Sequence, residues 1–313
     1  MAIVMNRRGQ IFTLVFLLLL TFLFVSFEIY TFIAENNSVK TRIDSMNSFL
    51  DAIEKNLEGQ LYVIGFRVIF LAETEITNTG TYISDFDAFF DEAFFNGTVN
   101  GVPNNTYLSG ATYNDLITLV NDKSSKVNLQ ISIRNSNVTI YQDDPWHVSV
   151  TMVSDFVMTD NSGLANWSKK QNITARIPIE GFEDPFYTIN SNAKVIRKIY
   201  ATPYEGQYAS GTNVSNLSDH ISQDYYAASA SAPSFLQRLE GNFSASSQGI
   251  ESFVDVTDFS NQGLLVEEKT RIDYIYFSAN NPTFYTVSGM QSWFRIDNES
   301  NHLALYNVSG LAS

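Results

Sequence analysis

The sequence predicts an α+β fold, in which a long N-terminal transmembrane and stalk helix precedes a β-rich, mainly antiparallel ectodomain with a few short helices. Three observations lead to this prediction. Residues 11–27 form an uncharged apolar run, and a helix of about 20 such residues spans the hydrocarbon core of a bilayer. Apolar residues then continue at helical spacing to Leu71. From Val127 the spacing changes to the period of two that is typical of strands.

The charges around the apolar run predict its orientation in a membrane. Arg7 and Arg8 precede the run, whereas the next cation in the chain is Lys40. Because basic residues stay on the cytoplasmic side of a span, this asymmetry predicts a cytoplasmic N-terminus, a transmembrane helix over residues 10–34 and an extracellular remainder. Glu28 lies near the outer end, where its carboxylate can reach the membrane interface.

Two further interpretations of the same segment involve cleavage. A secretory signal peptide has a shorter apolar core and a cleavage site of small residues, which residues 30–34 do not form. The other interpretation rests on Arg8-Gly9-Gln10 directly before the apolar helix. This arrangement resembles the class III (prepilin-type) signal of archaeal pilin-like surface proteins.

The resemblance implies cytoplasmic processing of the chain. A leader of residues 1–9 would be cut between Gly9 and Gln10, and the mature protein would begin with Gln10 and keep its hydrophobic helix. Members of the family often carry Glu at the fifth mature position, where this chain has Leu14. The resemblance, which is limited to the N-terminal segment, therefore implies the export route and a pilin-like shape rather than filament assembly.

The composition excludes several classes of function. With 33 acidic and 19 basic residues the formal net charge is −14, which argues against a nucleic-acid partner and against docking on anionic lipid. The chain contains no cysteine, so disulfides and thiolate zinc sites are excluded. Hydrophobic residues make up 44%, which is sufficient for a substantial core.

Eleven N-x-S/T sequons lie beyond the apolar run, on the side that the arginines predict to be extracellular. They are the candidate glycosylation sites Asn36, Asn96, Asn104, Asn137, Asn166, Asn172, Asn213, Asn216, Asn242, Asn298 and Asn307. A surface rich in Asn, Ser and Thr also contains sequons by chance, whether or not they are glycosylated. The positions of the sequons nevertheless agree with the orientation that the arginines predict, and the two observations are independent of each other.

A helical stripe of apolar residues continues beyond the membrane segment, and it predicts a stalk helix over residues 35–75. Its members are Val39, Ile43, Met46, Leu50, Ile53, Leu57, Leu61, Ile64, Val68 and Leu71. The stripe fits either a coiled-coil seam between subunits or the buried face of a helix that lies on its own β-domain. Gly59 and Gly65 weaken the middle of this helix and allow a bend.

Residues 76–126 predict a small helical region. Residues 85–95 form an amphipathic pattern that ends at Asn96-Gly97, and residues 112–120 form a second one. The acidic residues of the first pattern do not have the spacing of an EF-hand loop, so a solvated helix face explains them better than a calcium site.

Residues 127–313 predict the β-rich ectodomain. Alternating apolar residues indicate strands near residues 129–133, 138–140, 146–152 and 173–179, with a turn at residues 135–137. In this phase Asn172 lies opposite the apolar face and is expected to be exposed. Residues 203–232 predict a long surface loop, and Ser234 and Gln237 form a capping box before a short helix. Residues 271–277 and 292–296 predict further strands.

Groups suited to catalysis or metal binding are few, and we expect no catalytic residue, no metal and no cofactor. The three histidines are His147, expected to face solvent from a strand, His220, expected in the loop region, and His302, which follows an Asn/Ser turn. Two Asp-Pro-aromatic motifs, at residues 143–147 and 183–187, predict turns that lead into strands. Paired carboxylates for glycoside hydrolysis are the alternative explanation.

The sequence therefore predicts a non-enzymatic, single-span cell-surface protein that is pilin-like and has a structural or adhesive role. Its expected partners are the membrane and, beyond it, other envelope proteins, further copies of itself, glycans or surfaces. A membrane-anchored receptor or ligand-binding module that does not polymerise is the alternative, and an anchored hydrolase is a third possibility with less support.

Overall fold

The computed structural model of the protein describes residues 7–163 and 165–313, without the side chains of residues 7–11, 13 and 38. It confirms the predicted α+β class. One long apolar N-terminal helix, α1 (Arg7–Thr79), is followed by an antiparallel sheet and several short helices. Residues 1–6 of the predicted leader lie outside the described residues.

The elements after α1 are short helices, three long strands and several two-residue strands. In chain order they are α2 (Phe86–Asn96), β1 (Thr98–Val99), β2 (Val102–Pro103), α3 (Tyr113–Ser125), β3 (Leu129–Asp144), β4 (His147–Asp160), β5 (Asn166–Pro178), α4 (Pro185–Asn190), α5 (Ser215–Ser222), β6 (Ala227–Ala228), α6 (Phe235–Leu239), β7 (Ile250–Glu251), α7 (Val256–Asn261), α8 (Asp273–Tyr276), β8 (Phe284–Tyr285), β9 (Ile296–Asp297) and α9 (His302–Leu305).

The contacts divide the described chain into two compact units. The first contains the chain up to residue 56 together with residues 120–132 and 156–169. Inside this unit the Arg42 guanidinium lies 2.6 Å from the buried Asp160 carboxylate and donates to the carbonyls of Val127 and Asn128. The second unit contains residues 57–119, 133–155 and 170–313.

Most of the apolar stripe of α1 is buried within the chain. The eight members from Met46 to Leu71 are buried, whereas Ile43 is 44% exposed. Burial against the same chain favours the interpretation of the stripe as the buried face of a stalk helix over that of an intersubunit seam. The helix also extends beyond the predicted end of the stripe to Thr79, where Gly80 adopts a left-handed conformation with φ +66°.

Gly65 allows α1 to approach the sheet closely. A Cβ atom at this position would overlap Cδ1 of Ile177 and lie 2.9 Å from Cγ2 of Val150, whereas nothing lies within 4 Å of a Cβ at Gly59. The two glycines of the helix therefore have different roles. Gly65 is needed for packing, and Gly59 only lowers the helix propensity.

We expect Gly65→Leu to destabilise the protein by about 1–3 kcal/mol, because the added side chain overpacks the helix–sheet contact. The matched variant Gly59→Leu should be neutral or stabilising by about 0.5–1 kcal/mol through its better helix propensity. Thermal unfolding of both full-length variants in lipid nanodiscs, followed by circular dichroism, measures the difference. Equal unfolding midpoints for the two variants would contradict this assignment.

The main sheet has three antiparallel strands in the order β3-β4-β5. The middle of β4, from Val148 to Met152, is buried on both faces. Val150 and Ile177 point towards α1, and on the opposite face the Thr151 hydroxyl lies 2.7 Å from that of Thr174. The sheet thus has an apolar side under the helix and a polar side fastened by hydroxyl contacts.

The predicted turn at residues 135–137 is wrong, because β3 continues through it as one strand. Asn135 adopts a left-handed conformation with φ 52°, and the buried positions change there from odd to even numbers, from Leu129 and Ile131 to Val138 and Ile140. One extra residue with a left-handed backbone is a β-bulge. The bulge explains the change of phase that the sequence pattern presents as a turn.

Local signals of helix ends are confirmed in two helices. Gly97 closes α2 in a left-handed conformation, as the stop at Asn96-Gly97 predicts, whereas Asp85, expected within the helix, is its cap and accepts from the Ala88 N–H. At α6, Ser234 and Gln237 form both halves of the predicted capping box. These signals act within a few residues of the chain, so they can be read from sequence without knowledge of the tertiary structure.

The prediction for residues 203–232 is wrong. They are not a surface loop, because they contain α5 and β6 and bury Tyr208, Leu217 and Ile221 in the main apolar cluster of the C-terminal region. Their Gly, Ser and Asn residues provide turns between short buried segments. Small and polar composition thus does not by itself indicate exposure.

Two predicted strands also differ from the structure. Within residues 271–277 lies the helix α8, and within residues 292–296 only Ile296 begins a two-residue strand, β9. All four residues of α8 are buried, so its apolar residues do not form the one-sided pattern that would identify a helix in the sequence. A short apolar run of this kind fits a buried helix as well as a strand. Extended strands are therefore confined to residues 129–178, and the strands beyond contain two residues each.

Candidate functional site

The first half of α1 is a candidate membrane span. The helix from Leu14 onward contains an 18-residue window of mean hydropathy 2.2, of which no part is buried. Large apolar side chains from Phe12 to Ile33 are 42–73% exposed. Glu28 is exposed on this helix as well, and the backbone at Gly9 and Gln10 is helical, although their side chains lie outside the described part. Cleavage between them stays a prediction.

The sequon asparagines lie at the surface. Asn104 and Asn216 are half-buried, and the other nine are exposed. Asn172 is exposed between the buried neighbours Gln171 and Ile173 on β5, which confirms the predicted phase of that strand. Exposure makes these nine sequons sterically available, but asparagine is commonly exposed in any case.

The three histidines lie in three different environments. His147 is part-exposed, and its Nδ1 lies 3.0 Å from Oδ1 of Asp144. His220 is buried in α5 rather than in a loop, and burial lowers its pKa to about 3, so that it is neutral. His302 is fully buried at the start of α9, directly after the turn that the sequence predicts before it. Within residues 7–163 and 165–313 no group of three or more acidic or histidine side chains has the arrangement of a metal site.

The two Asp-Pro-aromatic motifs differ in structure. Asp144 accepts from the Trp146 N–H in the turn between β3 and β4, as predicted. Burial opposes ionisation of Asp144, but hydrogen bonds from His147 and Trp146 and the charge of Arg176 hold its pKa below the usual value. A turn at a strand end explains this first motif.

The second motif does not lead into a strand. Asp184 caps α4 by accepting from the Phe186 N–H, and Pro185 begins that helix, where its missing N–H costs nothing. The carboxylate is fully buried, and its Oδ2 lies 2.6 Å from Nη1 of Arg238. An Asp-Pro pair is a turn signal that also suits the start of a helix, and local sequence does not decide between the two.

Arg238 is the centre of a buried ionic cluster that sequence analysis did not find. Its guanidinium is fully buried between Asp184 and Asp273, with Nη1 at 2.6 and 3.0 Å from their carboxylates. Its Cζ lies 4.7 Å from the ring centroid of Phe186, and Tyr226 donates to Asp184 at 2.8 Å. The side chains of Arg238, Asp184 and Asp273 are all fully buried, so we assign the cluster to the stability of the fold.

Glu73 is a buried carboxyl on the packed half of α1. It is 7% exposed, and its Oε1 accepts from the Glu183 N–H at 2.7 Å. Burial is the main reason that its pKa rises to about 9. The charges of Glu183 and Asp184 add to this rise, and the Glu183 hydrogen bond and Lys198 oppose it. Glu73 is therefore protonated at neutral pH.

We expect Glu73→Gln to stabilise the protein at pH 7 and above. The ordinary pKa of 4.5 applies to the unfolded chain, so between pH 4.5 and about 9 only the folded state keeps the proton. Stability thus falls with rising pH by at most about 1.4 kcal/mol per pH unit, and Gln removes this dependence. Chemical unfolding between pH 5 and 9 measures it, with Glu58→Gln, at an exposed site of the same helix, as control. Parallel pH profiles for the parent and Glu73→Gln would contradict the assignment.

A cavity of about 300 Å³ lies between the end of α1 and α2, entirely within the second unit. We call it the α2 cavity. Its lining residues are Glu75, Thr79, Thr81, Tyr82, Ile83, Ser84, Asp85, Ala88, Phe89, Glu92 and Asn100. Three are carboxylates, two are aromatic, and none is basic. In the sequence the acidic residues of α2 fit a solvated helix face, and no pattern there predicts a cavity.

Comparison with known proteins adds no identification. No protein-family model matches the chain, and no match is found among curated proteins or solved structures. The resemblance of the N-terminal segment to pilin-like proteins is therefore a proposal that these comparisons do not test.

Proposed function

We propose that the protein is a single-span, outward-facing, pilin-like cell-surface protein with a structural or adhesive role. The observation that carries this proposal is the uncovered apolar surface of α1 between Phe12 and Ile33. A water-exposed protein rarely leaves a patch of this size without a partner, and a bilayer covers it fully. Arg7 and Arg8 before this segment support the outward orientation of the rest of the chain.

The structural role is supported by a second exposed stripe on the packed half of α1. Tyr62, Phe66 and Phe70 follow one another at intervals of four residues and are 38%, 42% and 44% exposed. These side chains lie on the same face of the helix. Such a stripe suits contact with other envelope proteins or with further copies of the chain.

A membrane-anchored binding module that does not polymerise is the second candidate, and the α2 cavity favours it. An anchored hydrolase has the least support, because Asp184, one of the carboxylates considered for such chemistry, is buried and paired with Arg238. Extraction in a mild detergent followed by native electrophoresis separates the first two candidates. Multimers support the structural role, and a single-copy species supports the binding module.

The orientation is tested by site-specific labelling, for which the absence of cysteine is an advantage. One variant carries Asn6→Cys before the span, together with Gly9→Val so that the predicted leader of residues 1–9 is retained, and the other carries Ser247→Cys at an exposed site beyond the span. We expect a membrane-impermeant maleimide to label Ser247→Cys on intact cells, and Asn6→Cys only after permeabilisation. The reverse pattern would overturn the orientation, and release of the protein by alkaline carbonate washing would overturn the anchor.

A further inference from the structure

The α2 cavity has rigid walls. Tyr82 is fixed from two sides, because the Asn190 amide donates to its hydroxyl at 3.2 Å and its ring lies against Gly241, where an added Cβ would approach within 2.5 Å. The Ile83 N–H donates to the Leu239 carbonyl at 3.0 Å. The segment that joins α1 to α2 is therefore held in place without a ligand, as expected of a preformed pocket.

The opposite wall is fixed by one of the carboxylates. Oε1 of Glu92 accepts from the Thr98 hydroxyl and from the Gly101 N–H, both at 2.7 Å, and thus holds the β1–β2 hairpin against α2. These two hydrogen bonds hold the pKa of Glu92 below its usual value, so that the group is ionised. Asn100, at the tip of the hairpin, completes this wall.

Acceptor groups of the cavity remain available. Oδ1 of Asp85 accepts from the Ala88 N–H, and no hydrogen bond involves the second oxygen of Asp85 within the described residues. The Glu75 carboxylate has neither a hydrogen bond nor an ion pair within the same part of the chain. Carboxylates that face a cavity accept strongly from hydroxyl and amine donors.

An aromatic surface and the sign of the charge narrow the class of ligand. Phe89 is half-buried and stacks on Phe86 with ring centroids 6.0 Å apart, so part of its ring forms the cavity wall. An apolar ring beside several acceptors suits an amphipathic polyhydroxyl compound, whose C–H groups contact the ring while its hydroxyls donate. The lining contains carboxylates and no cation, and it therefore disfavours any anion.

We propose that the α2 cavity binds a saccharide unit that carries no acidic group, either a neutral or an amino sugar. The volume of about 300 Å³ is at the lower end of the range of ligand pockets, which suits one sugar unit rather than a long chain. The inference names the class of ligand that an adhesive surface protein would bind through this cavity, and it rests on the proposed function.

The test uses the full chain in lipid nanodiscs, because many detergents carry sugar head groups that would compete. Glucose, glucosamine, glucuronate and tetramethylammonium are titrated and followed by saturation-transfer NMR. We expect glucose and glucosamine to bind. Glucuronate should bind at least about tenfold more weakly, because the three carboxylates of the cavity repel its own carboxylate. Binding of glucuronate as tight as that of glucose would overturn the charge argument. Saturation by tetramethylammonium without sugar binding would overturn the saccharide class, and the absence of any binding would overturn the site.

Variants locate the binding within the cavity. Glu75→Gln should weaken glucose binding by roughly tenfold, the loss expected for one charge-assisted hydrogen bond. Phe89→Ala should abolish it, and Glu267→Gln, which removes a charge from a different surface, should leave it unchanged. Circular dichroism confirms folding of each variant. Unchanged affinity in Glu75→Gln and in a folded Phe89→Ala would overturn the site, while the maleimide labelling described above would still decide orientation independently.

Discussion

Replacing Arg238 by methionine is expected to cost the folded state about 3–5 kcal/mol, because the change leaves the carboxylates of Asp184 and Asp273 buried without a counter-charge. This is a large part of the ~5–15 kcal/mol that stabilises a typical domain. Denaturant unfolding of the full chain measures the loss. The deficit should shrink as the pH falls, because the unpaired carboxyls can then bind protons.

Two further variants separate the charge of Arg238 from its packing. Arg238→Lys keeps the positive charge but loses the planar fork that donates to both carboxylates and to the Ile250 carbonyl, so an intermediate loss is expected. Adding Asp184→Asn and Asp273→Asn to Arg238→Met should restore part of the stability, because the buried charges are then absent. An Arg238→Met protein within about 1 kcal/mol of the parent would show that the cluster is dispensable.

Substitution of His302 should give the second largest loss of folding stability, and this loss should depend on pH. Its Nδ1 lies 2.8 Å from Oδ1 of Asp297, and its Nε2 lies 3.5 Å from Oε2 of Glu251. Burial opposes the charged imidazolium, but the two carboxylates outweigh it and raise the pKa to about 10. Tyr306 donates to the other oxygen of Glu251 at 2.8 Å. The protonated ring thus balances two buried carboxylates.

His302→Gln is expected to lower the stability at pH 6 by about 3–5 kcal/mol, because it leaves two buried carboxylates without a counter-charge. The sign of the pH dependence follows from the raised pKa. Between the ordinary value of 6.5 and about 10 only the folded state holds the proton, so the stability of the parent falls across this window. The difference between parent and variant should therefore be largest below pH 6.5 and should shrink towards pH 10.

His147→Gln is the matched control, since this ring is 38% exposed at a strand end and its loss should cost less than about 1 kcal/mol. Denaturant unfolding of parent and both variants at several pH values between 6 and 10 gives the profiles. Curves for the parent and His302→Gln that remain parallel over this window would contradict the charged state of His302.

Sequence predicted the parts of the fold whose signals are local and periodic. The stripe of α1, the C-terminal stop of α2, the capping box of α6 and the alternation around Asn172 each depend on neighbours within a few residues, so the sequence alone identifies them. The bulge at Asn135 was interpreted as a turn because both features favour a left-handed asparagine. At this position the tertiary pairing of the strand decides the structure.

The buried charges could not be predicted, because their partners are distant in sequence. Arg238 lies 54 residues from Asp184 and 35 from Asp273, and in the sequence it reads as an ordinary cation in a short amphipathic helix. The α2 cavity is hidden for another reason, because the pattern of each helix does not show how two consecutive helices pack. Glu75 belongs to one helix and Phe89 to the next, and only the turn between them brings both to one cavity.

The bulge in β3 also determines which changes in length the sheet can accept. Removing one residue from a strand normally exchanges its two faces from that point on. At Asn135 the strand already contains one residue in excess, so its deletion would give a regular strand with Val138 and Ile140 still facing inward and Asn137 still facing solvent. Deleting Thr139 instead would break the alternation of Val138 and Ile140 and place apolar side chains on both faces. Asn135 is thus the position at which this strand can be shortened without a loss of its core.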